Sequence, residues 1–133
     1  TWILSDLSSL SDSVRVISFT NSPEKYMAAS DVFVLPSYRE GFGSAIIEAA
    51  SCEIPSIGSN IYGLSDAIHD GQTGLLVPAR SIKLLENAMV KLINNDELRS
   101  NMGRAAIQRA VSQFSQETII KEILQLYKGL IQE

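Results

Sequence analysis

The stretch Asp31-Val32-Phe33-Val34-Leu35 runs apolar up to Pro36, and a loop with two glycines and an Ala-rich segment follow at once. An apolar run of this kind suits a strand covered on both faces, as in a parallel sheet. Ser44 to Cys52 then reads as a helix, Ile54–Gly58 as a second short strand, and Asn60–Gly63 as a turn. Leu64 to His69 forms one or two helical turns, Asp70-Gly71 a turn, and Gly74–Pro78 a last strand. Upstream, Val14–Phe19 is β-branched and aromatic and reads as a strand as well. Asn21-Ser22-Pro23-Glu24 opens a helix to about Ala29, with Ser22 as cap, Pro23 in the first position and Glu24 in the first turn. Strands alternating with helices predict a Rossmann-like parallel α/β sheet with right-handed crossovers.

Beyond Ala79 the pattern turns helical. Ser81 is placed to cap a segment with Ile82, Leu85, Ala88, Met89 and Leu92 at helical spacing. Asn94-Asn95 breaks it, Asp96 starts a second helix through about Val111, and Ser115 starts a third. The third carries Ile119, Ile123, Leu126, Tyr127 and Leu130 on one face. These stripes read as core. The chain thus divides into an α/β part, residues 1–80, and a helical tail, residues 81–133. Only four strands are visible where doubly wound sheets usually have more. Residues 1–13 start apolar and end rich in Ser and Asp, as the tail of a helix followed by a loop. The start, Thr1-Trp2-Ile3-Leu4, has neither an initiator Met nor a basic leader, and reads as a point inside a longer chain whose first strands precede it.

Composition narrows the partners. The net charge is −4 over 133 residues, so a phosphate backbone is repelled and nucleic-acid binding is disfavoured. A small anion is still admissible, because backbone N–H groups bind phosphate without a basic surface. Cys52 is the only cysteine, which excludes an intrachain disulfide and fits a reducing compartment. No apolar run approaches the ~18 residues of a membrane span. His69 is the only histidine; with no second His or Cys beside it, a metal site is disfavoured and a surface or capping role is expected.

Ligands of open parallel sheets bind at the carboxyl ends of the strands. Three loops leave that edge here, Thr20–Ser22, Ser37–Gly43 and Ser59–Gly63. The middle one holds Glu40, Gly41, Phe42 and Gly43 and runs straight into a helix. Its glycines permit positive φ or close approach of a ligand. The N–H groups of Phe42, Gly43, Ser44 and Ala45 then face the loop with the helix dipole behind them, which makes an anion site. Glu48 lies one turn into that helix. Two readings stay open for it: a solvated helical carboxylate, or an acceptor for vicinal hydroxyls such as those of a ribose. Glu40 likewise is either a polar loop residue or a carboxylate contacting sugar hydroxyls. Tyr38 and Tyr62 either line the same place or only pack, and Arg39 points to solvent or toward an anion. Gly41–Ile46 is a near miss for the dinucleotide fingerprint G-x-G-x-x-G, with Ile46 in the third glycine's place. Glu40 beside the loop also repels a pyrophosphate placed directly against it, so a dehydrogenase is disfavoured.

The ordered set Pro36-Ser37-Tyr38-Arg39-Glu40-Gly41-Phe42-Gly43-Ser44-Ala45-Ile46-Ile47-Glu48-Ala49 resembles the signature of the family 4 glycosyltransferases, also called glycosyltransferase group 1: Glu, seven residues, then Glu, around Gly-Phe-Gly. The resemblance continues through Ile54-Pro55, Gly63-Leu64-Ser65-Asp66, Asp70–Pro78 and Met102-Gly103, over roughly residues 14 to 130. It implies one half of a GT-B fold, the C-terminal, donor-binding domain, with an N-terminal acceptor domain as the missing partner. It implies that Glu40 contacts the donor sugar at the catalytic centre and that Glu48 contacts the ribose. The backbone at Phe42 and Gly43, running into Ser44, meets the diphosphate, Gly41 belongs to the same donor-binding loop, and Tyr62 and Gly63 border the donor. The implied reaction is metal-independent transfer from a nucleotide-sugar with retention of configuration; no cofactor is implied, and UDP-sugars are favoured over GDP-sugars. Among the family, Pro-Ser-Tyr-Arg-Glu-Gly-Phe-Gly is most similar to members that build bacterial capsule, O-antigen or exopolysaccharide on a lipid-linked or glycan acceptor. That implies a cytoplasmic protein whose membrane contact, peripheral to the inner face, runs through the other half.

Three positions depart from the family. Glu53 stands where the family has Gly at a helix end, a place for the left-handed conformation. Asp66 stands where many members have Glu, and helix capping is the role expected for it. The family's phosphate-binding Arg and Lys have no counterpart, since no Arg or Lys precedes Arg15. A non-catalytic nucleotide-binding module and a nucleotide-sugar epimerase of the same fold therefore stay open as alternatives.

Overall fold

Pairing starts just after Pro55: the Phe33 N–H donates to the Pro55 carbonyl at 3.0 Å, and from there the Phe33 and Ser56 segments lie side by side as parallel strands. The computed structural model describes residues 13–131, so the expectations for residues 1–12 lie outside the described residues. The elements are α1 (Pro23–Ala28), β1 (Phe33–Leu35), α2 (Ser44–Ser51), β2 (Ser56–Ser59), α3 (Leu64–Ala67), β3 (Gly74–Val77), α4 (Ile82–Ile93), α5 (Asp96–Phe114) and α6 (Gln116–Ile131). The sheet has three strands in the order β1-β2-β3, all parallel. Phe33 pairs with Ser56, and Ser56 in turn with Gly74. This is the Rossmann-like arrangement expected, with a helical tail.

Two strand expectations fail. Val14–Phe19 forms no strand, and Phe19 is 92% exposed. A strand exists only through a partner, and none of the three strands here pairs with this segment. The fully covered strand is also not the Asp31–Leu35 run. β1 is half-buried, whereas every residue of β2 is buried, because β2 alone has a strand on each side. Burial therefore follows place in the sheet, and the sequence run does not report that place.

The pleat sorts side chains by parity. Phe33, Leu35 and Leu76 pack on one face with Ile46, Leu64, Ala67 and Ile68 of the α2–α3 layer. Val34, Ile57, Leu75 and Val77 pack on the other with Ala88, Leu92 and Met102 of α4 and α5. Helix α5 serves both layers, since Ala106 and Ala110 also meet Ala50 of α2. Small residues at that contact let the two helices approach closely.

Helix ends show which polar residues cap. Asn95 accepts the Leu98 N–H at 2.9 Å and starts α5. Ser115 is extended (ψ 149) and its Oγ accepts the Thr118 N–H at 3.2 Å, which ends α5 at Phe114 rather than Val111 and starts α6. Ser22 and Ser81 sit at the expected cap positions but make no capping bond; the Ser22 N–H instead donates to Thr20 Oγ1. At the end of α2 the Glu53 N–H donates to Ala50 and the Ile54 N–H to Ala49, with Glu53 left-handed at φ 63. That is the Schellman closure in which the family's Gly was expected. The apolar stripe of α6 is not core: no residue of α6 is buried, and Leu126 is 64% exposed. In α4, Ile82 and Met89 are also exposed, while Ala88 and Leu92 are buried. Periodicity names an apolar face but not the body that covers it.

Candidate functional site at the carboxyl edge of the sheet

Because β1 and β2 run parallel, the segments that follow them, Ser37–Gly43 and Asn60–Gly63, leave the sheet at the same edge. The structure then joins them. Gly63 is left-handed (φ 86), and a Cβ on it would come within 2.7 Å of the Gly41 carbonyl oxygen and 2.8 Å of that of Glu40. Only a residue without a side chain admits this approach. The turn that follows β2 is thereby laid directly on the backbone of the loop that follows β1.

Gly43 does a second job. It is left-handed (φ 70) at the N-cap of α2, and no side chain caps that helix. A Cβ there would press on Leu64 Cδ2 at 2.5 Å, so α3 underlies the loop as well. Of the two uses expected of these glycines, positive φ falls to Gly43 alone; the φ of Gly41 is not positive, and the space where its Cβ would lie is open. The loop therefore keeps a bare backbone surface at Gly41 and leads into a helix N-terminus that no side chain closes, which is the geometry that favours an anion.

Glu40 is half-buried, and Ser37 Oγ donates to its Oε1 at 2.7 Å. One carboxylate oxygen is thus oriented by the loop itself. Glu48 lies on the exposed side of α2, opposite Ile46, Ala49 and Ala50. It follows Ser44 by four residues, so the two share a face with Glu48 one turn below. Its carboxylate is open to any molecule resting on that face. Tyr62 is 81% exposed beside Gly63. Tyr38 is also exposed, with the Arg80 guanidinium 5.4 Å from its ring centre. Among the described residues no group of three His, Cys, Asp or Glu is placed to hold a metal. His69 is exposed; its backbone N–H donates to Thr73 Oγ1.

Two residues invisible to sequence spacing complete the neighbourhood. The Phe42 ring meets Phe114 edge-to-face, with centres 5.4 Å apart. Arg109 lies over the other ring, 5.0 Å from the centre of Phe114, and donates to the backbone carbonyls of Asp66 and Ala67. Burial pushes the Arg109 guanidinium below its ordinary range, and the Asp66 carboxylate opposes that shift. Asp66 therefore does not cap α3 with its side chain, as expected of it; its carbonyl and charge face Arg109 instead. Arg109 and Phe114 lie on the last turns of α5, so no local pattern around residues 40–48 points to them.

Residues 4–109 match the family model described as glycosyl transferases group 1. The capsular polysaccharide biosynthesis glycosyltransferase CapM of Staphylococcus aureus is 33% identical over 120 residues, covering 90% of this chain and 32% of CapM. Sucrose-phosphate synthase of Thermosynechococcus elongatus superposes with a TM-score of 0.89 at 31% identity, over 97% of this chain and 33% of that one. S. aureus TarM, solved as a point mutant with fondaparinux, alpha-GlcNAc-glycerol and UDP, superposes at 0.81 with 29% identity, over 92% of this chain and 24% of its own. The chain spans about a third of the length of the curated relative CapM. On the match over residues 4–109 and the shared fold, the chain belongs to the glycosyl transferases group 1 family.

Proposed function

We propose that this chain is the donor-binding part of a retaining glycosyltransferase that moves a sugar from a nucleotide-sugar to a glycan or lipid-linked acceptor in polysaccharide synthesis. The observation that carries the reading is the contact of Gly63 with the Glu40 and Gly41 carbonyls. It closes two loops of the sheet edge around one place that offers backbone donors at Phe42, Gly43 and Ser44 and an oriented carboxylate at Glu40. In this reading the donors hold the diphosphate, Glu40 holds hydroxyls of the transferred sugar, and Glu48 accepts from the ribose hydroxyls. Tyr62 and Gly63 border the sugar, with Gly41 as the surface it approaches.

Fixed donors aimed at a leaving diphosphate stabilise the charge that develops as the glycosidic bond breaks, without reorganising at that moment. The UDP bound to TarM supports a uridine nucleotide over a guanosine one. The capsule role of CapM supports a glycan or lipid-linked acceptor. Retention of configuration rests on the family resemblance. The acceptor side comes, in this reading, from an N-terminal half of the same protein, which also makes any membrane contact, and the Arg and Lys for the diphosphate come from residues that precede this region. Among the described residues no helix is long and apolar enough to cross a membrane.

The test is a thermal-shift screen of the full-length protein against UDP-, GDP- and ADP-sugars, followed by NMR of the anomeric proton of any product. A shift with a UDP-sugar and a product of unchanged configuration support the reading. No shift with any nucleotide overturns it.

A further inference from the structure

The contacts around the Gly-rich loop close into a ring. Starting at Phe42, the ring of Phe114 lies edge-on at 5.4 Å. Phe114 carries Arg109 on its face at 5.0 Å. Arg109 donates to the Asp66 and Ala67 carbonyls at the end of α3, and its Nε donates to Gln113 Oε1 at 3.0 Å, which fixes the plane of the guanidinium. At the start of α3, Gly63 rests on the carbonyls of Glu40 and Gly41, one residue from Phe42. Leu64 fills the space under Gly43.

The loop is thus held from two directions, by α3 below and by the end of α5 at its side chain. The second hold is long-range, since Phe42 and Phe114 lie on different elements far apart in the sequence. It also depends on where α5 stops. Ser115 turns the chain out of the helix and caps α6, which leaves Phe114 on the last turn, at the height of the loop. Aromatic pairs of this geometry stabilise beyond simple burial, and a partly desolvated guanidinium over a ring adds to that.

We propose that Arg109 and Phe114 are positioning residues for donor binding: through Phe42 and α3 they fix the backbone N–H groups of Phe42, Gly43 and Ser44 in the orientation that receives a diphosphate. This rests on the donor-binding reading above. A loop opened by glycines has many accessible conformations, and a set of donors binds an anion well only if it is already in place. Within the loop only the Ser37–Glu40 side-chain bond contributes to that order, since no side chain fills the space at Gly41 and none caps α2. The tail helix supplies the rest. Neither residue touches the donor; both act through Phe42 and the α3 carbonyls.

The test uses the full-length protein with UDP as the probe and the variants Phe114→Leu, Phe114→Trp, Arg109→Gln and Arg109→Lys. Calorimetry is run well below each variant's own melting temperature, so that all are folded. The expected result is a UDP Kd raised roughly three- to tenfold in Phe114→Leu and Arg109→Gln, with recovery in Phe114→Trp, which keeps a ring beside Phe42. Amide hydrogen exchange of the nucleotide-free protein is the second readout. Exchange at Phe42 to Ala45 should quicken in Phe114→Leu while β2 is unchanged. A Phe114→Leu protein with a UDP Kd within twofold of the parent, or with unchanged exchange at those amides, overturns the proposal. A purely structural role would lower the melting temperature and leave both readouts at parental values. A parent that binds neither UDP nor GDP overturns the donor-binding reading itself. The exchange result separates the two failures, because it reports the hold on the loop without any ligand.

Discussion

Gly63 lies against Glu40 so closely that a Cβ on Gly63 would come within 2.8 Å of the Glu40 carbonyl oxygen. This contact unites two loops that are more than twenty residues apart in sequence, and it is made by backbone on both sides. Gly63→Ala therefore has to move the loop, and it also places a side chain at φ 86. The expected cost is about 2–3 kcal/mol, from the left-handed backbone and the overlap together. Denaturant unfolding measures it. UDP binding should fall further than stability does, because the loop that moves is the one carrying the Phe42 and Gly43 N–H groups.

The two glutamates should separate by what they read. Glu48 is exposed, so Glu48→Ala should leave stability within about 0.5 kcal/mol while weakening UDP, UDP-sugars and GDP-sugars alike. Glu40→Ala should instead alter the ranking among sugars on one nucleotide and leave the nucleotide alone nearly unaffected. Titration of a panel of UDP-sugars against both variants checks this. A uniform loss in Glu40→Ala would reverse the assignment.

Glu53→Gly should stabilise the protein by about 1 kcal/mol, since a left-handed backbone costs an L-residue that much and a glycine little. Glu53 holds that conformation at φ 63. The Schellman bonds from Glu53 and Ile54 to Ala50 and Ala49 need only backbone and remain. A melting temperature below the parent's would refute this.

Arg99 closes α4 from outside it. Its Nη1 donates to the Leu92 and Ile93 carbonyls at 2.8 and 3.0 Å, and its Nη2 lies 2.9 Å from Asp96. Its side chain is largely covered while that of Asp96 is exposed, so most of its effect lies in the carbonyl bonds rather than the ion pair. Arg99→Ala should cost about 2 kcal/mol, whereas Asp96→Ala should cost well under about 1 kcal/mol. Equal losses in the two variants would place the stabilisation in the ion pair instead.

Much of the fold was legible because it is local. Pro23 and the Asn94-Asn95 break each mark a helix boundary within a residue or so, and Gly74–Val77 forms a strand where a short apolar run ends at a proline. The left-handed turn at Glu53 was readable too, as a glycine position occupied by another residue. The strand at Val14–Phe19 and the core stripe of α6 were not legible correctly. Both are apolar segments of the right period, and both lack a covering partner among the described residues.

The candidate site divides in the same way. By itself the sequence determined the Glu40 to Glu48 spacing, the glycine that opens α2, and the family to which the pattern belongs, because these are consequences of one loop running into one helix. Only the tertiary structure decided that Gly63 rests on Glu40, that Phe114 holds Phe42 and that Arg109 ties α5 to α3. Those relations join backbone and side chains across the sheet edge, where distance is set by parallel pairing and helix packing. No residue near Glu40 in the sequence carries a signal of what folds against it.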